Sequence, residues 1–497
     1  MKMRISSLCA FAVLLPAFLA SAQSDALKAD ARYVTALRAM ADGLPDVAIL
    51  KLREISQPEL AVEDRAAVNL KLAQALMGKG QNEDALKLLD GFAGEQQPEI
   101  AFTRATALAA LGKWNESYPL YQHVAGDEKS PFFVSAKLGE AESLHALGKT
   151  PEAVALLQAV ASDGRFGNRA RLRLADLYLE QHDAKKCDAI LRAIKPLSTT
   201  ETKSIKYLEA RVSLAEQRSQ AALANFEELI KEPKGLPENI LVGATLGAAE
   251  SRAALNGPES ADDVIEDFIR QHPDSRSLGV MFLKLDALYE REENPQQTEL
   301  QKWSQAPPQG RAACAVFYLA KMQARAKKWD EALTTLEGYA EKYPGEPLIA
   351  EAGLLRGNLL VVDGKLAPAS GAYDSAMRAA KDSELLGRIE FASAVAHFKQ
   401  GEFVLAATFF RNAAQHSSKL QQTALFNSAL SWLNQGNYEK FMDVYKELSA
   451  RFPESDARKQ LVLEEGLSQA RAGDSRADAT LQRFVRDFPD HPRRSEA

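Results

Sequence analysis

The chain has 497 residues, 46% of them hydrophobic, with 61 basic against 67 acidic side chains and a net charge of −6. That supplies a continuous apolar core, either in several globular domains or in one elongated array. Charge of both signs is spread evenly, which argues against a nucleic-acid partner or an anionic membrane surface.

The first residues place Lys2 and Arg4 before an apolar run from Leu8 to Leu19 and then Ala20-Ser21-Ala22. This order reads as a secretory signal peptide over residues 1–22, cleaved after Ala22, with an apolar run too short for a spanning helix. The competing reading is an uncleaved membrane anchor. Cys9 stands at the head of the apolar run rather than behind a small-residue cleavage site, which speaks against a lipid anchor through it. Two cysteines then remain, Cys187 and Cys314, several units apart. A bridge would need their Cα atoms within about 7 Å, so both are read as free thiols. Secretion across the inner membrane into a bacterial periplasm is the expected destination, with stability carried by the core rather than by disulfides.

Beyond the signal the text repeats. Gly148–Leu157, GKTPEAVALL, gives a glycine turn and then a helix with Pro151 in its first turn, where a missing N–H costs nothing. Aligned on that turn, the chain shows Gly43, Gly80, Gly112, Gly148, His182, Gln217, Asn256, then a degenerate unit, then Lys327, Gly364, Gly401, Gly436 and Gly473. Seven residues before each stands a small residue: Ala36, Ala73, Ala105, Ala141, Ala175, Ala210, Ala249, Ala320, Gly357, Ala394, Ala429, Gly466. Another often stands five after the turn, as at Ala85, Ala153, Cys187 and Ala406, and a large apolar residue nine after it, as at Leu157, Phe226 and Tyr373. Stripes such as Leu172/Ala175/Leu179 and Phe426/Ala429/Leu433 have helical period. No alternating strand pattern occurs. The spacing predicts antiparallel helix pairs, small where they cross, that bury a core only by stacking; an irregular helical bundle is the competing fold.

This pattern, near a period of about 34 residues, resembles the tetratricopeptide repeat, in the variety common in bacterial envelope proteins. The resemblance implies an all-α, right-handed superhelical solenoid of antiparallel helix pairs acting as a protein-binding scaffold. Residues 26–293 and 311–497 form two such blocks. Between them NPQQTELQKWSQAPPQG, residues 294–310, lacks a turn glycine and predicts a degenerate repeat or hinge. The text ends in DFPDHPRRSEA, which resembles the opening of another unit. A truncated chain, or an end covered by something else, would account for that.

Catalytic and ligand motifs are scarce. Leu147-Gly148-Lys149-Thr150 lacks the upstream glycine and the preceding strand of a phosphate loop. The seven histidines include no i, i+4 pair and none at metal spacing from a cysteine. His145 falls on the apolar stripe of its helix and reads as a hydrogen-bonded core residue. Glu116, Glu152 and Glu331 open second helices, where they favour the positive dipole end. The expectation is therefore no catalysis, no cofactor, no metal and no nucleic acid.

In the family resembled, first helices line the concave groove and the residue six before the turn points into it. That position holds Gln74, Thr106, Glu142, Asp176, Arg211, Glu250, Lys321 and Asn358, then Val395, Leu430 and Leu467, with Phe398 and Leu433 nearby. The groove is thus expected to be polar and mixed in charge, then apolar in its last three units. That apolar end would take a helix or extended peptide from another envelope protein; the competing reading is that it closes a tighter spiral or meets a cap. Leu70, Phe102, Leu138 and Leu172 occupy the place of the lysine in carboxylate-clamp repeats, which removes that clamp. Two rival readings remain, a carbohydrate- or peptidoglycan-associated module and the repeat portion of a longer chain with a catalytic domain.

Overall fold

The computed structural model describes residues 23–55, 60–90, 97–162 and 167–497. The signal-peptide segment, Cys9 included, lies outside the described residues. Among those described, the regular structure is helical throughout and no strand occurs. Two compact units are present, one ending at Ala261 and the other beginning at Asp262.

In the first unit a short helix, Asp25–Ala29, precedes helix pairs such as Phe133–Ala146 with Thr150–Ala161, Gly167–Glu180 with Ala184–Arg192, and Thr199–Ala215 with Ser219–Lys231. The second unit contains Leu278–Tyr289 with Thr298–Ser304, Gln309–Arg325 with Trp329–Thr335, and Ile349–Val362 with Leu366–Ala379. It closes with Ser383–Lys399 and Phe403–His416, Gln421–Asn434 and Tyr438–Arg451, and Asp456–Arg471 and Ala477–Asp487. Within each unit a helix packs on its pair mate, and most first helices also pack on the first helix of a neighbouring pair, the arrangement of a solenoid.

The turns explain the register. Gly148 takes φ 80°, and the N–H of Lys149 reaches back to the carbonyl of Leu144 at 2.8 Å. This closure satisfies an orphan carbonyl at the helix end and needs a left-handed residue. His182, Gln217 and Lys327 adopt φ 61°, 61° and 58° at the same register, although a side chain disfavours that region. The matching bonds, Asp183 to Tyr178 and Arg218 to Ser213, are both 2.8 Å. One turn differs from expectation. Asn256 is the last residue of Glu238–Asn256, and Gly257 takes the positive φ, 93°, in its place.

The small residues lie where the spacing put them. Ala36, Ala73, Ala105, Ala175, Ala210, Ala394 and Ala429 are fully buried, as are Ala48, Ala85, Ala153, Cys187 and Ala406 after the turn. Gly357 shows the reason: a Cβ there would sit 2.3 Å from the Tyr373 ring. Large residues nine after the turn fill the space opposite, with Leu157 and Phe226 fully buried; Tyr445 is half-buried.

The segment 294–310 contains the short helix Thr298–Ser304. Its Leu300 and Trp303 are buried, and the Trp303 ring meets Phe282 edge-on at 5.7 Å between centroids. The irregular unit therefore fills core space with a tryptophan where other units use a longer helix.

Candidate functional site

The residue six before each turn sits beside the helix crossing, so its fate depends on what neighbouring first helices offer. Tyr121 donates to Thr106 Oγ1 at 3.3 Å, and Tyr373 donates to Asn358 Oδ1 at 2.8 Å, in each case from nine after the turn to six before it. Gln74 is buried in a cluster in which Lys71 Nζ lies 3.1 Å from its Oε1 and 2.9 Å from Glu99.

Through the middle of the first unit these positions close on one another. The Arg173 guanidinium donates to Glu142 of the preceding first helix at 2.7 Å, to Asp176 at 2.7 Å and to Glu180 at 3.2 Å. Asp176 pairs in turn with Arg211 of the following first helix. Glu180 accepts from His145 Nε2 at 2.7 Å, and His145 Nδ1 lies 3.0 Å from Thr150 Oγ1. Arg173 is only 3% exposed, so its charge is held by this cluster rather than by water. Burial pushes the Glu180 carboxyl up, but the hydrogen bond from His145 and the Arg173 charge outweigh it and hold the group at about 2. Burial dominates at Glu142, which is raised despite Arg173. Gln74 and Asp176 are therefore parts of closed polar clusters rather than open groove surface. Glu250 is exposed, and Arg211 and Glu142 are half-buried within the ladder.

In the second unit Lys321 donates to Asp286 at 2.6 Å, and Arg325 lies 2.7 Å from the other oxygen of the same carboxylate. Asp286 belongs to the degenerate unit, where no turn residue marks the register; the sequence reading did not single it out.

The last three pairs are different. Three rows of side chains cross the helices Ser383–Lys399, Gln421–Asn434 and Asp456–Arg471. At ten before the turn they are Phe391, Phe426 and Leu463; at six before it Val395, Leu430 and Leu467; at three before it Phe398, Leu433 and Ala470. Phe391, Val395, Phe398, Phe426, Leu430, Leu433 and Leu467 are half-buried, packed beneath against the core yet reaching the surface. Phe391 packs in both the cluster around Phe410 and the one around Leu425. A narrow cleft between the second and third helices is lined by Leu430, Leu433, Asn434, Glu464, Ser468 and Arg471. The Val395, Phe398, Leu430, Leu433 and Leu467 positions thus form one apolar array.

Other groups are accounted for. Cys187 and Cys314 are free thiols, each pushed up to about 12 by burial, which makes them poor nucleophiles. Trp303 and Trp432 are buried, so neither offers an open platform for a sugar ring. No group of three metal-binding side chains occurs among the described residues, and no helix there is long and apolar enough to cross a membrane.

Stacked antiparallel helix pairs with a surface built from first helices define a helical-repeat scaffold for protein–protein interaction. Residues 248–391 match the family model described as a tetratricopeptide repeat-like domain, and residues 391–456 match that of the tetratricopeptide repeat. The tetratricopeptide repeat family is thus matched directly over residues 248–456. Among solved structures it is similar to one titled "Crystal structure of APC/C hetero-tetramer Cut9-Hcn1". The identity is 14% over 94% of each chain, with a TM-score of 0.31. It is also similar to "Structure of Naa15/Naa10 bound to HypK-THB", at 15% identity over 93% of this chain and 80% of that one, with a TM-score of 0.30. No curated protein sequence matches the chain.

Proposed function

We propose that this chain is an exported, non-catalytic tetratricopeptide scaffold of the cell envelope, acting in the periplasm. In this reading it holds a protein partner on the first-helix face of its last three pairs. One observation carries the choice of site: the polar groups at this register elsewhere, Glu250 apart, are hydrogen-bonded or ion-paired within the chain, whereas the apolar array leaves its outer surface uncovered. Half-buried apolar side chains on a rigid support bind by area, at about 25 cal/mol per Å² removed from water. Export rests on the charged, apolar and small-residue order of residues 1–22.

The site is tested by affinity capture from an envelope extract with the chain and its Leu430→Asp variant, with circular dichroism to check the fold. Loss of the bound partner is the expected result. An intact variant that keeps every partner would refute the site. Export is tested separately by fusing residues 1–22 to a reporter enzyme; recovery of the reporter only in the cytoplasm would refute it.

A further inference from the structure

The three helices of the apolar array carry five carboxylates and five cations, but the carboxylates are engaged within the chain while most of the cations make no ion pair among the described residues. Each of these carboxylates has a partner. Glu384 accepts from Ser417 at 2.8 Å, Glu390 meets His416 at 2.7 Å, and Asp456 pairs with Lys459 at 2.9 Å. Glu464 pairs with Arg493 at 2.6 Å, and Glu465 accepts from Tyr438. Gln421–Asn434, the middle helix, has no charged residue at all.

Of the cations on these helices, Lys459 pairs with Asp456 and Arg458 lies over the Phe488 ring, 5.9 Å from its centroid, which leaves Arg388, Lys399 and Arg471. All three are exposed, and none makes an ion pair among the described residues. Arg471 donates only to its own helix, to the Leu467 carbonyl at 3.3 Å. Lys399 and Arg471 stand two before their turns and Arg388 thirteen before its turn, so they edge the apolar rows on both sides. Arg471 also lines the cleft beside Leu430 and Leu433. Glu351 is the acidic group that faces Arg388 from the preceding first helix, and the two make no ion pair.

The dimensions select the shape of the occupant. Seven residues of helix separate the outer rows, about 10 Å at 1.5 Å per residue, which is the width of an α-helix with its side chains. Gln421–Asn434 packs directly on Asp456–Arg471, while Ser383–Lys399 reaches the middle helix through side chains such as Phe391. With directly packed helices about 8–10 Å apart, the array is about 20 Å long or more, at least some 13 residues of a bound helix. An extended strand would leave one row uncovered. We propose that the occupant is a short amphipathic helix, apolar on one side and acidic along both flanks. This rests on the site assigned above and adds the chemistry of the partner. Charge of that sign sets orientation and rejects basic competitors more than it adds affinity.

The test is fluorescence anisotropy on the full chain with two labelled synthetic helices of about 14 residues. One has leucines at i, i+3 and i+7 with glutamates along the flanks; its twin has lysine for each glutamate. The acidic helix should bind about tenfold or more tightly at low salt, with the gap closing as salt screens it. Arg388→Glu with Lys399→Glu should erase that preference, and neither change should alter the thermal unfolding curve. Equal binding of the twins, a preference that survives the double reversal, or binding of neither would overturn the acidic-helix inference. Equal binding that Leu430→Asp abolishes would leave the site standing. Binding of either helix that Leu430→Asp leaves untouched would sink the site itself.

Discussion

The middle pairs of the first unit and the last three pairs of the second use the same position, six before the turn, for opposite ends. In the former, Glu142, Asp176 and Arg211 are drawn together through Arg173 into a ladder that links three consecutive first helices. In the latter, Val395, Leu430 and Leu467 stay at the surface as an apolar stripe, with uncompensated cations at its edges. A residue that faces a binding surface by register is not thereby free to bind. A repeat can spend that position on fastening its neighbours together. The first arrangement stiffens a stack, and the second leaves one open to a partner.

The largest test of this contrast is Arg173→Leu. Removing the cation takes from Glu142, Asp176 and Glu180 the one group they share, leaving only Arg211 to Asp176 and His145 to Glu180, in a cluster where Arg173 itself is 3% exposed. Breaking one side of such a buried group costs about 3–5 kcal/mol, to be read from the shift of the urea midpoint. A cost like that of a surface change would mean the ladder is ornamental. Next comes Gly357→Ala, in the pair that stands between the Lys321–Asp286 bridge and the apolar array. The added methyl would approach the Tyr373 ring at 2.3 Å, displacing the tyrosine that bonds Asn358, at about 1–3 kcal/mol. Gly371, in the partner helix, is exposed and an added Cβ there would meet nothing within 4 Å. Gly371→Ala should therefore stabilise by about 0.5–1 kcal/mol through helix propensity alone. Like signs for the two would show that the crossing has been misplaced.

Leu430→Asp comes third. Leu430 is half-buried at the rim of a cleft, so the aspartate keeps contact with water, and the fold should lose no more than about 1 kcal/mol. Its effect belongs to binding. If instead it destabilised the chain as Arg173→Leu is expected to, the array would be core, closed as firmly as the ladder, and no docking surface would remain.

Most of the scaffold was legible in the sequence because its causes are local. A left-handed residue, a small residue seven before it and another five after it recur wherever two helices must cross closely. The register therefore identified His182, Gln217 and Lys327 as turn residues without any glycine to announce them. It slipped at Asn256, where a glycine one position later takes the strained backbone. The surface was less legible. Whether Asp176 faces water or Arg173 depends on how far one first helix is offset from the next, and no periodicity within a helix encodes that offset. The signal that was present is the run of opposite signs, Glu142, Asp176 and Arg211, at one register position on consecutive helices, with Arg173 three residues from Asp176. Asp286 was out of reach for a different reason, since its unit has lost the turn that would number it.

The smallest expected effect is a slope rather than a shift, and it separates the two faces by acid. Glu180 sits at about 2 in the folded chain against an ordinary value of 4.5. A depressed carboxyl stabilises the fold above its unfolded value and loses that contribution as pH falls toward its folded one. The ladder should therefore weaken between pH 4.5 and 2. Glu142 works the other way: its raised carboxyl favours the protonated folded form, so acid relieves it and offsets part of the loss. Glu180→Gln should accordingly flatten the acid side of the stability–pH curve, and Glu142→Gln should steepen it. Leu430→Asp should change neither slope by as much, because its new carboxylate meets solvent. If Glu180→Gln and Glu142→Gln tilted the curve in the same direction, the hydrogen bond from His145 would not be what distinguishes the two glutamates, and the ladder would have to be redrawn around a different proton.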